Sequence, residues 1–186
     1  MRKVTYGAAC SLDGFIVGPG GSMDWLHWSD DVTGLMTETW SRTDAVLMGR
    51  KTWEVAAGSG GGGGGAMAGV EGYVFSRTLT ELPAGAGATL VRTDAGAFVR
   101  ELKRRPGREI CVLGGGELAR SLFEAGVIDE VGLNVHPVLL GSGVPSFRDA
   151  GRITLELAEC RTLDGGCIYA LYRVRRRRAG RRTPKT

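Results

Sequence analysis

Apolar positions along this chain recur at two different spacings, and the changes between them mark its elements. The opening stretch KVTYGAACSLDGFIVG (residues 3–18) alternates as a strand, breaks at Asp13–Gly14 and resumes with FIV. The spacing then becomes helical: Val32, Leu35, Met36 and Trp40 share one face, and Ser29 stands before them as an N-cap. AVLM (45–48) reads as a short buried strand, and KTWEVAA (51–57) starts a second helix. GYVFSRTL (72–79) and TLVRT (89–93) read as two more strands, followed by the helix AGAFVRELKRR (95–105). The strand EICVL (109–113), the helix ELARSLFEAG (117–126) and the strand DEVGLNVHPVLLG (129–141) come next. The segment ITLELAECRTLDGGCIYALYRVR (153–175) predicts two strands joined by a turn at Asp164–Gly166.

Strands that alternate with helices over two thirds of the chain call for a mainly parallel sheet covered on both faces. The closing hairpin adds antiparallel strands at one side. There is no internal repeat, and 186 residues suit one domain with a sizeable core. The expected organisation is a single α/β domain over residues 1–174, followed by a basic, disordered tail at 175–186.

Charge and composition adjust this picture in three places. The net charge of +4 belongs to the end of the chain, where RVRRRRAGRRTPKT (173–186) holds eight Lys/Arg and no acid. Taking those eight from the total of 24 leaves 16 basic against 20 acidic residues, a net −4 for the body. With no aromatic residue interleaved for base stacking, the tail reads as a solvated terminus, and nucleic acid is not the expected partner. Glycine is abundant, 31 residues or about 17% where ~7% is usual; the run Gly60–Gly65 reads as a surface loop. The four cysteines, Cys10, Cys111, Cys160 and Cys167, form no CxxC pair, and His occurs only at positions 27 and 136, so no metal site is expected. No signal peptide or long apolar span is evident, which predicts a cytoplasmic protein with no membrane partner.

Candidate chemistry gathers where strands hand over to helices. ICVLGGGELA places Gly114, Gly115 and Gly116 between a strand and the helix opened by Glu117 and Leu118. A helix N-terminus exposes unpaired N–H groups and the positive end of the peptide dipoles, so it attracts phosphate. Glycine there lets an anion approach the backbone and permits φ > 0. GGGELA satisfies G-x-G-x-x-A, but the acid that should end the next strand is missing: Asp129 and Glu130 begin one instead. The standard dinucleotide fold is therefore not indicated, although the anion site stands. A second junction, AVLMGRKTWE, sets Gly49, Arg50, Lys51 and Thr52 at another helix start. A third cluster, Ser76–Arg77–Thr78, follows a strand's carboxyl end. Three such turns suit a ligand with several separated phosphates, such as a dinucleotide bearing a 2′-phosphate, for which Arg77 and Ser76 are natural partners.

These residues carry a family resemblance. GRKTWE is similar to the G-R-x-T-W-E signature of dihydrofolate reductases. VLGGGELARSLFEAGVIDEVGLNVHPVLLGSGVPSF (112–147) resembles the C-terminal half of the riboflavin-biosynthesis reductase domain, that of RibD, and its stand-alone relatives. SLDGFIVG and YVFSRTL fall in the matching order, so the resemblance runs from about Lys3 to Arg175. It implies a dihydrofolate-reductase-like three-layer α/β/α sandwich with a mixed sheet of about eight strands. It also implies NADPH as hydride donor, a small-molecule substrate and a homodimer. Carried over by motif, Gly49, Arg50, Lys51 and Thr52 hold cofactor phosphates, and Ser76 and Arg77 face the 2′-phosphate. Gly114, Gly115, Gly116, Glu117 and Leu118 line the pyrophosphate, while Ala9 and Ile16 flank the nicotinamide ring.

The resemblance leaves the substrate less defined than the cofactor. Asp13, in a turn matching the S-x-D-G of the riboflavin-type reductases, and Asp30 and Asp31, near the place of the dihydrofolate reductase acid, are the catalytic candidates for proton delivery. Each also has a plain reading, as a turn residue or a helix-dipole partner. Asn134 is the candidate for hydrogen bonding a substrate ring, and His136 reads as a satisfied strand residue. The zinc deaminase motifs H-x-E and P-C-x-x-C are absent, and VGPGGSMDWLHWSDD stands where those reductases carry Asn-Thr and Asp-Pro. The expected activity is an NADPH-dependent reductase acting on a pteridine- or pyrimidine-like C=N or C=O. The open alternatives are 5-amino-6-(5-phosphoribosylamino)uracil reductase, dihydrofolate reductase, and a nucleotide-binding module without turnover.

Overall fold

The computed structural model describes residues 1–58, 69–149 and 151–175. The Gly60–Gly65 run and, Arg175 apart, the basic tail lie outside the described residues. Among those described, no helix is long and apolar enough to cross a membrane.

Among the described residues, ten strands and four α-helices follow one another in nearly the order the patterns predict. They are β1 (Val4–Ser11), β2 (Phe15–Val17), α1 (Asp30–Arg42), β3 (Thr43–Gly49), α2 (Arg50–Gly58), β4 (Glu71–Phe75) and β5 (Ala88–Val91). Then come α3 (Ala95–Leu102), β6 (Glu109–Leu113), α4 (Glu117–Glu124), β7 (Glu130–His136), β8 (Val144–Pro145), β9 (Leu155–Leu163) and β10 (Cys167–Val174). Eight of the strands form one sheet in the order β5-β4-β3-β6-β1-β7-β10-β9, and β2 and β8 pair separately. From β5 to β7 every neighbouring pair is parallel; β10 runs antiparallel to both β7 and β9. The mixed sheet and closing hairpin match the expectation from sequence. The pairing of β2 with β8 was not legible there, because two residues carry no period.

Strand β3 shows why its run is apolar throughout. Ala45 and Leu47 face a core built with Val99 and Leu102 of α3 and Leu122 and Phe123 of α4. Val46 and Met48 face the opposite core, with Trp53 of α2 and Trp40 of α1 packed into it. A strand buried on both faces has no polar positions to alternate with. The result is a three-layer sandwich, α3 and α4 on one face and α1 and α2 on the other. The helix starts are set locally: Ser29 Oγ accepts the Val32 N–H at 3.3 Å, and Asp94 Oδ1 accepts that of Ala97 at 2.7 Å. Near the amino end of the sheet, the buried cations Arg2 and Lys103 are held by Asp44 and Asp129, so these charges serve the framework.

A candidate active site at the carboxyl edge of the sheet

Six parallel strands present their carboxyl ends along one edge, and register decides which ends meet. Gly49 of β3 lies opposite Phe75 of β4, and Met48 lies opposite Leu113 of β6. The three phosphate-type turns, Gly49–Thr52, Ser76–Thr78 and Gly114–Gly116, thus leave three adjacent strands. On the other side of β6, Gly7 of β1 pairs with Leu113, and Ala9 pairs with Asn134 of β7.

The three consecutive glycines are needed for three separate reasons. Gly114 has φ +81°, and a Cβ there would run into the Thr52 side chain of α2. Gly115 has ordinary φ but no room: its Cβ would sit 2.9 Å from Ile16 Cδ1 and 3.0 and 3.2 Å from the carbonyl oxygens of Pro145 and Ser146. Gly116, the residue before α4, has φ +74°, and nothing lies within 4 Å of where its Cβ would be. Two glycines therefore let the protein close on itself, and the third keeps open space at a helix N-terminus. Thr52 and Ile16, singled out separately in the sequence, meet on neighbouring residues of this one turn.

Arg77 reaches across to the same helix and pairs with Glu117 at 3.1 Å, both side chains standing largely in water. Ser76 builds its own turn, its Oγ accepting the N–H groups of Thr78 and Leu79 at 3.2 and 3.0 Å. Arg50 pairs with Glu54 at 2.8 Å one helical turn on, and Lys51 is exposed. Leu118 turns inward and packs against the α3/α4 core.

Beside this edge the sheet has an open floor. Gly7 and Ala9, at the middle of an eight-stranded sheet, remain half-exposed, whereas Gly132 of β7, on the same face, is buried under the Tyr169 ring of β10. Asn134 and His136 border the floor, both buried, with Asn134 Nδ2 3.2 Å from His136 Nε2. His136 Nδ1 accepts the backbone N–H of His27 at 3.2 Å and lies 3.5 Å from Cys167 Sγ, and Trp25 meets the ring edge-on at 5.3 Å. Burial pushes the His136 pKa down, with a further push from His27. His136 is the satisfied strand residue that its setting in the sequence implied.

The acids come out differently from one another. The Asp13 carboxylate accepts Ser11 Oγ–H at 2.6 Å, Gly141 N–H at 2.8 Å and Leu140 N–H at 3.1 Å. The Ser11 hydrogen bond outweighs the opposing desolvation and, with the backbone amides, holds its pKa below the usual carboxylate range. Asp13 is a clamp between the first turn and the loop after β7, and a carboxylate held ionised in this way is a weak proton source. Asp31 Oδ2 accepts the Asp164 N–H at 3.1 Å, tying the start of α1 to the β9–β10 turn. Asp30 sits exposed in the same first turn. The hairpin turn lies at the carboxyl edge because β10 runs antiparallel to β7, with Ile168 opposite Val135.

Two parts of the site had no usable sequence signal. The wall over Gly115 comes from Pro145 and Ser146, thirty residues on, and is fixed when Ser146 N–H and Oγ–H both bind Gly14 O at 2.8 and 2.9 Å. The His27–His136–Cys167 contact joins three segments distant in the chain. The small-residue floor did leave a trace, in Gly7 and Ala9 within β1.

Residues 2–169 match the family described as the RibD C-terminal domain. The chain is 30% identical over 182 residues to the uncharacterized protein YyaP of Bacillus subtilis strain 168, covering 92% of this chain and 95% of that one. Among solved structures, a protein of Shewanella sp. PV-4 whose given name places it in riboflavin biosynthesis superposes with a TM-score of 0.79 at 25% identity, covering 94% of this chain and all of its own. The diaminohydroxyphosphoribosylaminopyrimidine deaminase/5-amino-6-(5-phosphoribosylamino)uracil reductase of Thermotoga maritima shares the fold. Its TM-score is 0.69 at 16% identity, over 93% of this chain but only 56% of the larger protein.

Proposed function

The chain belongs to the RibD C-terminal domain family, a family of reductases, and on that premise we propose that it transfers hydride from NADPH to a C=N or C=O of a small pyrimidine- or pteridine-like ring. The observation that carries this reading is the convergence of three phosphate-type turns on three adjacent strand ends. The residues present fit a 2′-phosphorylated dinucleotide. The Gly116 position is bare and open at the N-terminus of α4, with Thr52 packed beside Gly114 and Arg77 paired to Glu117 on either side of it in sequence. The bound cofactor would supply the hydride; the chain's own work is to place, orient and dry the site.

Each part of that work has a residue. Backbone amides opening α4 would hold the pyrophosphate, and Arg77, now paired with Glu117, would hold the 2′-phosphate. Ile16, braced on Gly115, and Ala9 would hold the nicotinamide, and the substrate would then lie over the floor of Gly7 and Ala9. Close approach and exclusion of water are what a hydride transfer asks of its site. With Asp13 held ionised, the proton is drawn from water rather than from that carboxyl.

Substitution of Arg77 by alanine tests the reading. The charge-assisted contacts it would make to a phosphate are worth roughly a tenfold to hundredfold change in affinity. Titration by quenching of tryptophan fluorescence is expected to show NADPH weakened by that amount while NADH is unaffected. Equal affinity of the wild type for the two coenzymes overturns the assignment.

A further inference from the structure

We infer that Asn134 presents its NH2 group, and not its carbonyl, to the substrate floor, so that the substrate meets it with a hydrogen-bond acceptor, a ring carbonyl oxygen or an unprotonated ring nitrogen. The inference deepens the proposed function and rests on its placing the substrate over Gly7 and Ala9.

The chain of donors starts at the backbone. The His27 N–H points at His136 Nδ1 from 3.2 Å, and a backbone amide can only donate. Nδ1 therefore carries the lone pair, a role that Cys167 Sγ–H, at 3.5 Å, also suits. A protonated ring would set N–H against N–H at this point, so the imidazole is neutral and its single hydrogen is on Nε2. That hydrogen must go into the Asn134 amide 3.2 Å away. Only the amide oxygen can accept it. The two ends of an asparagine amide have the same shape and are assigned by their partners, so the oxygen belongs beside His136.

The other end of the amide is then the NH2 group. That end is buried and has no hydrogen-bond partner within the protein. Asn134 is 9% exposed and shares its face with Ala9, its partner across the β1–β7 ladder, and with Gly132 two residues before it. Shielded N–H donors without a partner are costly. An acceptor on a ligand lying over this floor removes the cost, whereas a ligand offering only N–H groups adds to it.

The test has two readouts on the full chain, independent of turnover. Long-range ¹H–¹⁵N correlation spectra resolve the ring nitrogens of the two histidines, with His27→Gln identifying their signals. The expected pattern for His136 is a protonated Nε2 and a lone pair on Nδ1; the reverse overturns the inference. The second readout uses two probes in the presence of NADPH: 1,3-dimethyluracil, which offers only acceptors, and benzamidine, which offers only donors. Dimethyluracil is expected to shift the Asn134 side-chain NH2 resonances, and benzamidine to leave them in place. Asn134→Asp keeps an acceptor for His136 but replaces the NH2 by oxygen. It is expected to lose dimethyluracil affinity by roughly tenfold or more and to gain benzamidine binding. No NH2 shift with dimethyluracil, or unchanged preference in Asn134→Asp, overturns the inference. If both readouts come out as expected but no ring substrate oxidises NADPH, the donor assignment stands and the reductase reading falls.

Discussion

Replacing Gly115 by alanine isolates a single physical effect, because its φ is ordinary and backbone strain plays no part. The added Cβ meets three atoms: Ile16 Cδ1 at 2.9 Å, Pro145 O at 3.0 Å and Ser146 O at 3.2 Å. The first is the far end of a flexible side chain and can turn aside. The two carbonyls are fixed. Ser146 O accepts the Tyr6 hydroxyl at 2.9 Å, Ser146 N–H binds Gly14 O at 2.8 Å, and Pro145 is paired with Phe15. Overpacking a core typically costs about 1–3 kcal/mol, and a wall that cannot retreat places this case at about 2–3 kcal/mol. For a chain of this size that lowers Tm by about 4–12 °C. Thermal unfolding of Gly115→Ala, Ile16→Val and the double variant measures it. Ile16→Val removes Cδ1 alone and is expected to restore less than half of the loss. Full restoration by Ile16→Val, or a Tm drop of under about 2 °C, refutes the reasoning, since either result makes the carbonyl wall compliant.

Three further outcomes follow from other parts of the molecule. Gly34, in the middle of α1 with helical φ and open space around its Cβ position, is expected to accept alanine with a gain of about 0.5–1 kcal/mol, read as a higher Tm with unchanged NADPH affinity. Of the four cysteines only Cys160 is exposed; burial pushes the thiols of Cys10 and Cys167 up and that of Cys111 to about 12. One thiol per chain is therefore expected to react rapidly with an aromatic disulfide reagent in the native protein and four in denaturant, and two fast thiols would contradict the burial. Because burial lowers the His136 pKa, the unfolded chain takes up a proton near pH 6.5 that the folded one refuses. Its contribution to stability is complete above that pH and is lost as pH falls below it. The Tm of wild type is expected to drop more steeply than that of His136→Gln between about pH 7 and about pH 5.5, and parallel curves would show that the imidazole is not held neutral.

What the sequence by itself determined is the order and kind of elements. Hydrophobic period is a local property: a strand buried on both faces, such as β3, has to be apolar throughout, and an amphipathic helix such as α1 has to place Val32 and Leu35 on one side. Short motifs such as GRKTWE and the triple glycine were legible for the same reason, since a turn's conformation is written in its own residues. Only the tertiary structure decided what those motifs touch. Gly114 and Gly115 proved to be spaces for Thr52, Ile16 and the Pro145 and Ser146 carbonyls, and Asp13 proved to be a clamp on Leu140 and Gly141. The hydrogen on His136, and through it the face that Asn134 shows, depends on an amide at His27, 109 residues earlier. Such properties arise where strand register brings distant segments within hydrogen-bonding distance, and that distance has no trace in the order of residues along one chain.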